Sequence, residues 1–335
     1  MTRPSILVAL TALFLMSASG RGGPYSGVGW APLSVWAREN GFRLSAPGNQ
    51  STTLARSGET LRFENDSQVA VVNGVNVWLC DPITVREGQS CASALDLKTS
   101  IEPILHPRQR GDDKLFHTIC LDPGHGGKDT GGKVGPFMEK NFTLPLALEL
   151  QTQLRAAGFR VWLTRTNDQF VDLDDRIALG NHLRADLFIS LHFNIAPNGE
   201  DKGVEVYCLT PAKASSTNVQ KERGNEARLP GNELDGENVL FAYQLQKALV
   251  KNLCAEDRGL RRARFAVLRP ARMPAVLIEG GFLSDPGERQ RISNPAYRSQ
   301  MARAIMEGIL DYENAVNRES TVKSTPILSQ IGGRR

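Results

Sequence analysis

The sequence predicts a layered α/β domain with a central mixed, mostly parallel sheet flanked by helices, preceded by a small β-containing domain. After residue 115, apolar strand-like runs alternate with stripes of helical period, which is the pattern of an α/β layer. Several runs are apolar at nearly every position, as in strands covered on both faces. The length of 335 residues allows one large domain and a smaller one.

Residues 1–20 have the composition of a signal peptide. Arg3 precedes an apolar run at 6–16, and small residues at 17–20 could be accepted by a signal peptidase. The run is too short to span a bilayer comfortably, and no later segment is apolar enough to do so. An uncleaved anchor is the alternative. We expect an exported protein of the periplasm or cell envelope, with no transmembrane segment in the mature chain.

The accessory domain is predicted over residues 25–105, where short β-rich runs surround a hairpin-turn signal, Asn73-Gly74. The run at 72–82 weakly resembles part of the N-terminal domain of copper amine oxidases, and it carries no catalytic group. A polar, Pro/Gly-punctuated linker is predicted at 106–114.

The main domain is predicted over residues 115–313. Its expected strands are 118–121, 161–163, 187–191, 204–208 and 275–278. Apolar stripes of helical period lie at 146–154, 173–183, 241–253 and 297–312. Pro145 is compatible with the first of these helices only within its first turn. From about Asn314 the tail turns polar, so residues 314–335 are expected to be disordered.

The charge and the cysteines exclude some classes of function. The net charge of +4 is mild and spread along the chain, which favours a solvated surface over attraction to an anionic wall polymer and gives no support for nucleic-acid binding. Of the five cysteines, Cys80 and Cys91 are close enough for a disulfide loop, which stays open. Cys120 and Cys208 lie in apolar runs and are expected to be buried thiols, as is Cys254.

Four chemically active side chains lie where elements begin or end. His125 follows the first strand of the main domain in a Gly-rich turn, and His192 and Glu279 close two further strands. Glu139 lies at the start of the first helix. Ligands cluster at the carboxyl edge of open α/β sheets, so these four side chains are expected to converge. Two imidazoles and two carboxylates are what metal-assisted hydrolysis by Zn²⁺ requires.

Each of these residues also has an ordinary interpretation when taken alone. A histidine after a turn is usually a loop residue, and a glutamate at a helix start is favoured by the helix dipole. Glu279 is harder to explain in this way, because an unpaired carboxylate ending an apolar strand demands a cation, a metal or a functional role.

Residues 115–313 resemble the zinc-dependent N-acetylmuramoyl-L-alanine amidases of the type 3 family. The matching motifs are LDPGHGG at 121–127, EKN at 139–141, LTRT at 163–166, ADLFISLH at 185–192 and MPAVLIEGGFLS at 273–284. The resemblance implies that His125, Glu139 and His192 bind Zn²⁺ and that Glu279 is the catalytic general base. It also implies that the substrate is the bond between N-acetylmuramic acid and the L-alanine of the stem peptide in peptidoglycan. Asp122 is a candidate to orient His125, with an ordinary turn-capping aspartate as the alternative, and Arg269 is a candidate to contact substrate.

Two other functions stay open at this point. A zinc peptidase acting within the stem peptide would share the metal chemistry, and a non-catalytic wall-binding protein would share the groove. Some relatives carry a long insertion whose helix plugs the zinc site. The segment 207–237 is short and rich in Gly, Asn and Glu, which favours a flexible rim loop over such a plug. An activator protein is possible, and the sequence does not identify one.

Overall fold

The computed structural model describes residues 29–47, 50–110, 115–197, 199–218 and 227–317. The predicted signal peptide and residues 111–114 of the predicted linker lie outside this part, as do residues 219–226 and 318–335. Within the described ranges, no helix combines the length and the apolar composition that crossing a bilayer requires.

The N-terminal region is built mainly of short strands. Its elements are β1 (Trp30–Pro32), α1 (Leu33–Glu39), β2 (Arg43–Pro47), β3 (Ser51–Arg56), β4 (Glu59–Glu64), β5 (Val69–Val72), β6 (Val75–Trp78), β7 (Thr84–Arg86), β8 (Gln89–Ser93), α2 (Ala94–Asp96) and α3 (Glu102–Leu105), with a π-helical turn (Leu97–Ile101) joining the last two. The predicted hairpin is present, because Asn73 and Gly74 both take positive φ between β5 and β6.

The remaining elements alternate between strand and helix. They are β9 (Thr118–Pro123), β10 (Lys133–Val134), β11 (Phe137–Met138), α4 (Lys140–Ala156), β12 (Arg160–Leu163), α5 (Leu173–His182), β13 (Leu187–Asn194), β14 (Val204–Leu209), a 3₁₀ turn (Pro230–Leu234), α6 (Asp235–Leu253), β15 (Asp257–Ala263), β16 (Ala275–Phe282), α7 (Pro286–Ser293) and α8 (Pro295–Val316). All five predicted strands and all four predicted helices of this region are confirmed.

One sheet of 11 strands organises the molecule, in the order β12-β9-β13-β16-β14-β15-β6-β5-β4-β3-β2. From β12 to β16 all neighbours are parallel, and β14 is antiparallel to β16 but parallel to β15. Among the strands of this sheet that follow residue 115, four of the five pairings are parallel, so the predicted mixed, mostly parallel sheet is confirmed there. Helices α4, α6 and α8 pack together over one face, and α5 packs against β9 and β13.

The two faces of the sheet carry separate apolar clusters. Ile119 and Leu121 of β9 join the larger cluster, whereas Cys120 between them joins a smaller cluster with Ile177 of α5 and Phe188. Every side chain of β9 is buried. This explains why these strands read as continuous apolar runs rather than as alternating patterns.

The N-terminal strands continue this sheet. Strand β6 pairs in parallel with β15, with Val77 opposite Leu260. The sheet is therefore shared by strands that precede and strands that follow the predicted linker. The β15 sequence, DRGLRRA, gave no strand signal because four of its seven residues are charged.

Two helix expectations are corrected. Pro145 lies in the second turn of α4, not the first. A proline there costs about 3 kcal/mol, and the buried residues Leu146, Leu150 and Leu154 keep the helix on the sheet. Helix α8 continues past Asn314 to Val316, whose side chain is buried, and Arg110 N donates to Val316 O at 2.9 Å.

Cysteine expectations are partly corrected. Cys80 and Cys91 are both buried free thiols, so the disulfide that stayed open is not formed in this structure. Cys120 and Cys208 are buried as expected, and burial raises the pKa of Cys120 to about 12. Cys254 is exposed, because it ends α6 in the left-handed conformation with φ of 48°.

Candidate functional site

Three neighbouring elements bring the predicted metal ligands together. His125 follows β9, His192 lies in the adjacent strand β13, and Glu139 immediately precedes α4. His125 Nε2 lies 3.0 Å from Glu139 Oε2, and His192 Nδ1 lies 2.8 Å from Glu139 Oε1. One ligand atom from each residue lies within 4.8 Å of the others. The expected convergence of these three side chains is present, and their role as ligands stays a prediction.

His125 is oriented by a residue that the sequence did not single out. Its Nδ1 lies 2.9 Å from Asp129 Oδ2, which leaves Nε2 directed at Glu139. Asp129 Oδ1 also accepts a hydrogen bond from Gly131 N at 3.0 Å. The backbone of His125 has φ of 61°, a left-handed conformation that this tight turn imposes. The sequence signal that could have identified Asp129 was a carboxylate four residues after His125.

Asp122 does not contact the His125 imidazole, so its expected role is wrong. Its buried carboxylate instead accepts from Thr164 Oγ1 at 2.6 Å, Ser190 Oγ at 2.7 Å and Arg176 Nη1 at 2.8 Å. Arg176 also donates to the carbonyl oxygens of Pro123 and His125, both at 2.9 Å. Asp122 therefore acts on the turn through the arginine, which satisfies carbonyls that the sheet leaves unpaired.

Glu139 is almost fully buried and uses both oxygens. Oε1 lies 2.8 Å from His192 Nδ1 and accepts from Phe193 N at 3.0 Å, and Oε2 accepts from Gly132 N at 2.8 Å. Burial opposes ionisation of this carboxyl, but its bonds to His125 and His192 outweigh burial and hold its pKa well below the usual range. The cluster thus keeps a fixed negative charge between two imidazoles.

Among the described carboxylates of this site, only Glu279 has an oxygen that is buried and lacks a hydrogen-bond partner. It lies in β16 with its Cα in register with His192 of β13. Its side chain is partly exposed, yet Oε2 is fully buried and has no hydrogen-bond partner among the described residues. Burial raises the pKa of this carboxyl well above its usual value, and the nearby charges of Glu139 and Glu205 raise it further. A group held in this way is a candidate for proton transfer.

A cavity of about 420 Å³ joins these groups. The three clustered side chains and Glu279 line it together with apolar residues, namely Leu173, Phe265, Ala266, Val267 and Leu277. Leu173 is 57% exposed although it is large and apolar, which is typical of a ligand-binding rim. Arg269 is exposed and does not line the cavity, so its proposed substrate contact gains no support.

The donor set fits a divalent metal. Two imidazoles and one carboxylate are a common set for catalytic zinc, whereas magnesium and calcium sites are built from oxygen ligands. The unpartnered oxygen of Glu279 and the buried charge of Glu139 are the polar groups that such an ion would balance. The residues present can therefore hold a metal.

The segment between His125 and Glu139 leaves no room for a side chain at Gly131. A Cβ there would lie 2.5 Å from Glu139 Oε2 and 2.5 Å from His125 Cδ2, whereas a Cβ at Gly135 would meet nothing within 4 Å. Both glycines are left-handed, with φ of 62° and 56°. If His125 and Glu139 hold Zn²⁺, Gly131→Ala is expected to weaken its binding about 10- to 100-fold relative to Gly135→Ala, measured by competition with a chromophoric chelator. Equal affinities in the two variants would show that the turn does not place the ligands.

The fold and the site together define a class of protein. An α/β sheet that presents a His–Glu–His cluster and an unpaired glutamate beside one cavity is the architecture of a candidate metal-dependent hydrolase. Within this class, similarity to known proteins identifies the family.

Residues 119–311 match the family model Amidase_3, described as N-acetylmuramoyl-L-alanine amidase. The match covers more than half of the chain, so the protein belongs to this family. The family resemblance stated from the motifs is therefore confirmed. The match begins at Ile119, after the N-terminal strands.

Named relatives and solved structures agree with the family. The chain is 33% identical over 227 residues to N-acetylmuramoyl-L-alanine amidase AmiC of Neisseria meningitidis, covering 61% of this chain and 55% of AmiC. It is 32% identical over 195 residues to N-acetylmuramoyl-L-alanine amidase LytC of Bacillus subtilis, covering 58% of this chain and 35% of LytC. The catalytic domain of the amidase CwlV from Bacillus (Paenibacillus) polymyxa aligns with a TM-score of 0.50 and 29% identity, covering 59% of this chain and 99% of that domain.

Proposed function

We propose that this protein is a zinc-dependent peptidoglycan amidase that hydrolyses the bond between the lactyl group of N-acetylmuramic acid and the L-alanine of the stem peptide. The chain covers 55% of AmiC and 35% of LytC. The family match therefore supports this activity, and the activity itself is our proposal. The observation that carries the proposal is the His125, Glu139 and His192 cluster beside the unpartnered Glu279.

In this proposal His125, Glu139 and His192 hold the metal. When bound, Zn²⁺ supplies a Lewis acid that lowers the pKa of a water molecule and stabilises negative charge on an amide oxygen. Two neutral imidazoles and one carboxylate leave net positive charge at the site, which preserves that acidity. Asp129 keeps His125 in a fixed orientation, because its Oδ2 lies against the ring nitrogen that faces away from Glu139.

Glu279 transfers the proton. As water attacks the amide carbon, Glu279 takes one of its protons, and it then gives that proton to the alanine nitrogen as the C–N bond breaks. One C–O bond forms and one C–N bond breaks, leaving a lactyl carboxylate and a free amine. Burial raises the pKa of this carboxyl, which favours the step in which it accepts the proton from water.

The apolar lining of the cavity positions the substrate and limits the access of water. The side chains of Leu173, Phe265 and Val267 offer no hydrogen bonds, so the scissile amide finds its polar partners among the clustered side chains and Glu279. We further propose an exported protein acting in the periplasm or cell envelope. The composition of residues 1–20 and the extracytoplasmic location of peptidoglycan support this assignment.

Digestion of purified sacculi tests the function. The released ends would be identified by mass spectrometry. We expect new lactyl carboxylates on muramic acid together with new L-alanine amino termini. New ends within the stem peptide would identify a peptidase instead, and sedimentation with sacculi without any new ends would identify a wall-binding protein.

A further inference from the structure

The junction between the N-terminal strands and β15 is built from specific contacts. Asn76 N donates to Asp257 Oδ2 at 2.8 Å, and Trp78 Nε1 donates to Arg258 O at 2.8 Å. Gly259 allows the close approach, because a Cβ there would lie 2.9 Å from Asn76 O. The two strands are therefore matched to each other and do not merely lie side by side.

Trp78 packs against Arg261, whose side chain reaches Glu205 of β14. The Arg261 guanidinium lies 4.1 Å from the centroid of the indole ring, a cation–π distance. Arg261 Nε lies 3.3 Å from Glu205 Oε2, and Arg258 Nε approaches the same oxygen at 3.3 Å. Both arginines therefore face one carboxylate, and the backbone of one and the side chain of the other contact Trp78.

Glu205 connects these arginines to the wall of the cavity. It is 1% exposed, and its Oε1 accepts from Asn194 Nδ2 and from Tyr207 OH, both at 2.9 Å. Asn194 lines the cavity, and Tyr207 packs edge-on against Phe265, which also lines it, at 5.1 Å. In the antiparallel pairing of β14 with β16, Glu205 lies directly opposite Glu279.

We propose that Glu205 is a positioning residue of the active site, held in place from the N-terminal strands through Trp78 and Arg261. The inference rests on the proposed amidase activity, because catalysis is its readout. A buried carboxylate opposite Glu279 is tolerable only while positive partners face it. Without the indole ring, Arg261 is free to turn towards solvent. Glu205 would then lose one of its two positively charged partners, and the movement of its carboxylate would shift Asn194 and Tyr207 at the cavity wall.

The test compares two tryptophans in the same sheet. Trp78→Leu removes the platform for Arg261, and Trp162→Leu is the matched control, because Trp162 is 52% exposed on β12 at the opposite edge. With a soluble muramyl-peptide substrate, kcat of Trp78→Leu is expected to fall about 10- to 100-fold, since small misplacements cost that much. Its KM and zinc content should stay at the wild-type values. Trp162→Leu should match wild type, and Trp78→Phe should recover most of kcat because it keeps a ring beneath Arg261.

A double-mutant cycle separates positioning from a general loss of structure. If Trp78 acts through Glu205, the effect of Trp78→Leu on kcat should be much smaller in a Glu205→Gln background. Equal kcat values for the two Trp→Leu variants, or fully additive effects in the cycle, would overturn the inference. If Trp78→Leu does not fold, Arg261→Gln takes its place, and a wild-type kcat in that variant would overturn the inference equally.

Failure of the proposed function would be seen separately. All variants are compared on whichever bond the wild-type protein cleaves. An error in the amidase assignment therefore appears in the wild-type products alone, and an error in this inference appears only in the comparison between variants.

Discussion

Glu279→Gln is expected to lower the rate of amide cleavage by about a thousandfold while zinc stays bound. Glutamine has nearly the same shape as glutamate but cannot accept the proton of the attacking water, and general acid–base catalysis contributes about 10² to 10⁴ in rate. Because Glu279 Oε2 is buried without a partner, removing the charge should not destabilise the fold. The variant should therefore unfold at the same temperature as wild type or at a higher one.

Three measurements check this prediction. They are the initial rate on a muramyl-peptide substrate, the zinc content of the purified protein and the thermal unfolding midpoint. Glu39→Gln is a matched control, because Glu39 is exposed at the end of α1. Wild-type cleavage by Glu279→Gln would refute the role of this residue, and loss of zinc would move Glu279 into the ligand set.

His192→Ala is expected to abolish stoichiometric zinc binding and to reduce cleavage to the background rate. The substitution leaves two of the three clustered side chains, and it removes the imidazole that lies 2.8 Å from Glu139 Oε1. A catalytic zinc site typically has three protein ligands, so the affinity should fall at least as far as the 10- to 100-fold cost of losing an outer partner. Atomic absorption of the purified protein and the sacculus assay measure the two effects.

The control for this variant is another histidine of the same domain. His182→Ala changes an exposed residue near the end of α5, outside the cavity, and it should keep both zinc and activity. Full zinc occupancy with wild-type cleavage in His192→Ala would show that the cluster is not the catalytic metal site.

The strands of the fold were predictable where burial on both faces requires nearly every residue to be apolar. Strands such as β9 and β13 are covered on both faces, so almost every residue is apolar and the pattern is local. Strand β15 was missed because its arginines are neutralised by partners distant in the chain. Arg258 and Arg261, for example, face Glu205 more than 50 residues away. Sequence periodicity does not contain such pairings.

The candidate site was predictable to the extent that its residues end strands or begin a helix. His192 and Glu279 interrupt apolar runs, which made them visible. Asp129 was not visible, because its contact with His125 depends on the left-handed turn between them. Asp122 was assigned to the wrong partner for a related reason: Thr164, Arg176 and Ser190, which it contacts, are 42 to 68 residues away.

The continuity between the N-terminal strands and the main sheet could not be derived from the sequence either. It depends on Asn76 and Trp78 meeting β15 some 180 residues later. Each of these residues alone looks like an ordinary half-buried strand residue. Only the pairing of β6 with β15 shows that the N-terminal strands contact Arg258 and Arg261, which face Glu205 next to the cavity wall.

The most direct test of the account is a titration of the metal-free protein with Zn²⁺, following the appearance of lactyl carboxylates from sacculi. The account predicts no cleavage without metal, and a rise in rate that reaches its plateau at one equivalent of zinc, because the described residues form one His–Glu–His cluster. Full cleavage by the metal-free protein, or no lactyl carboxylates at one equivalent, would contradict it.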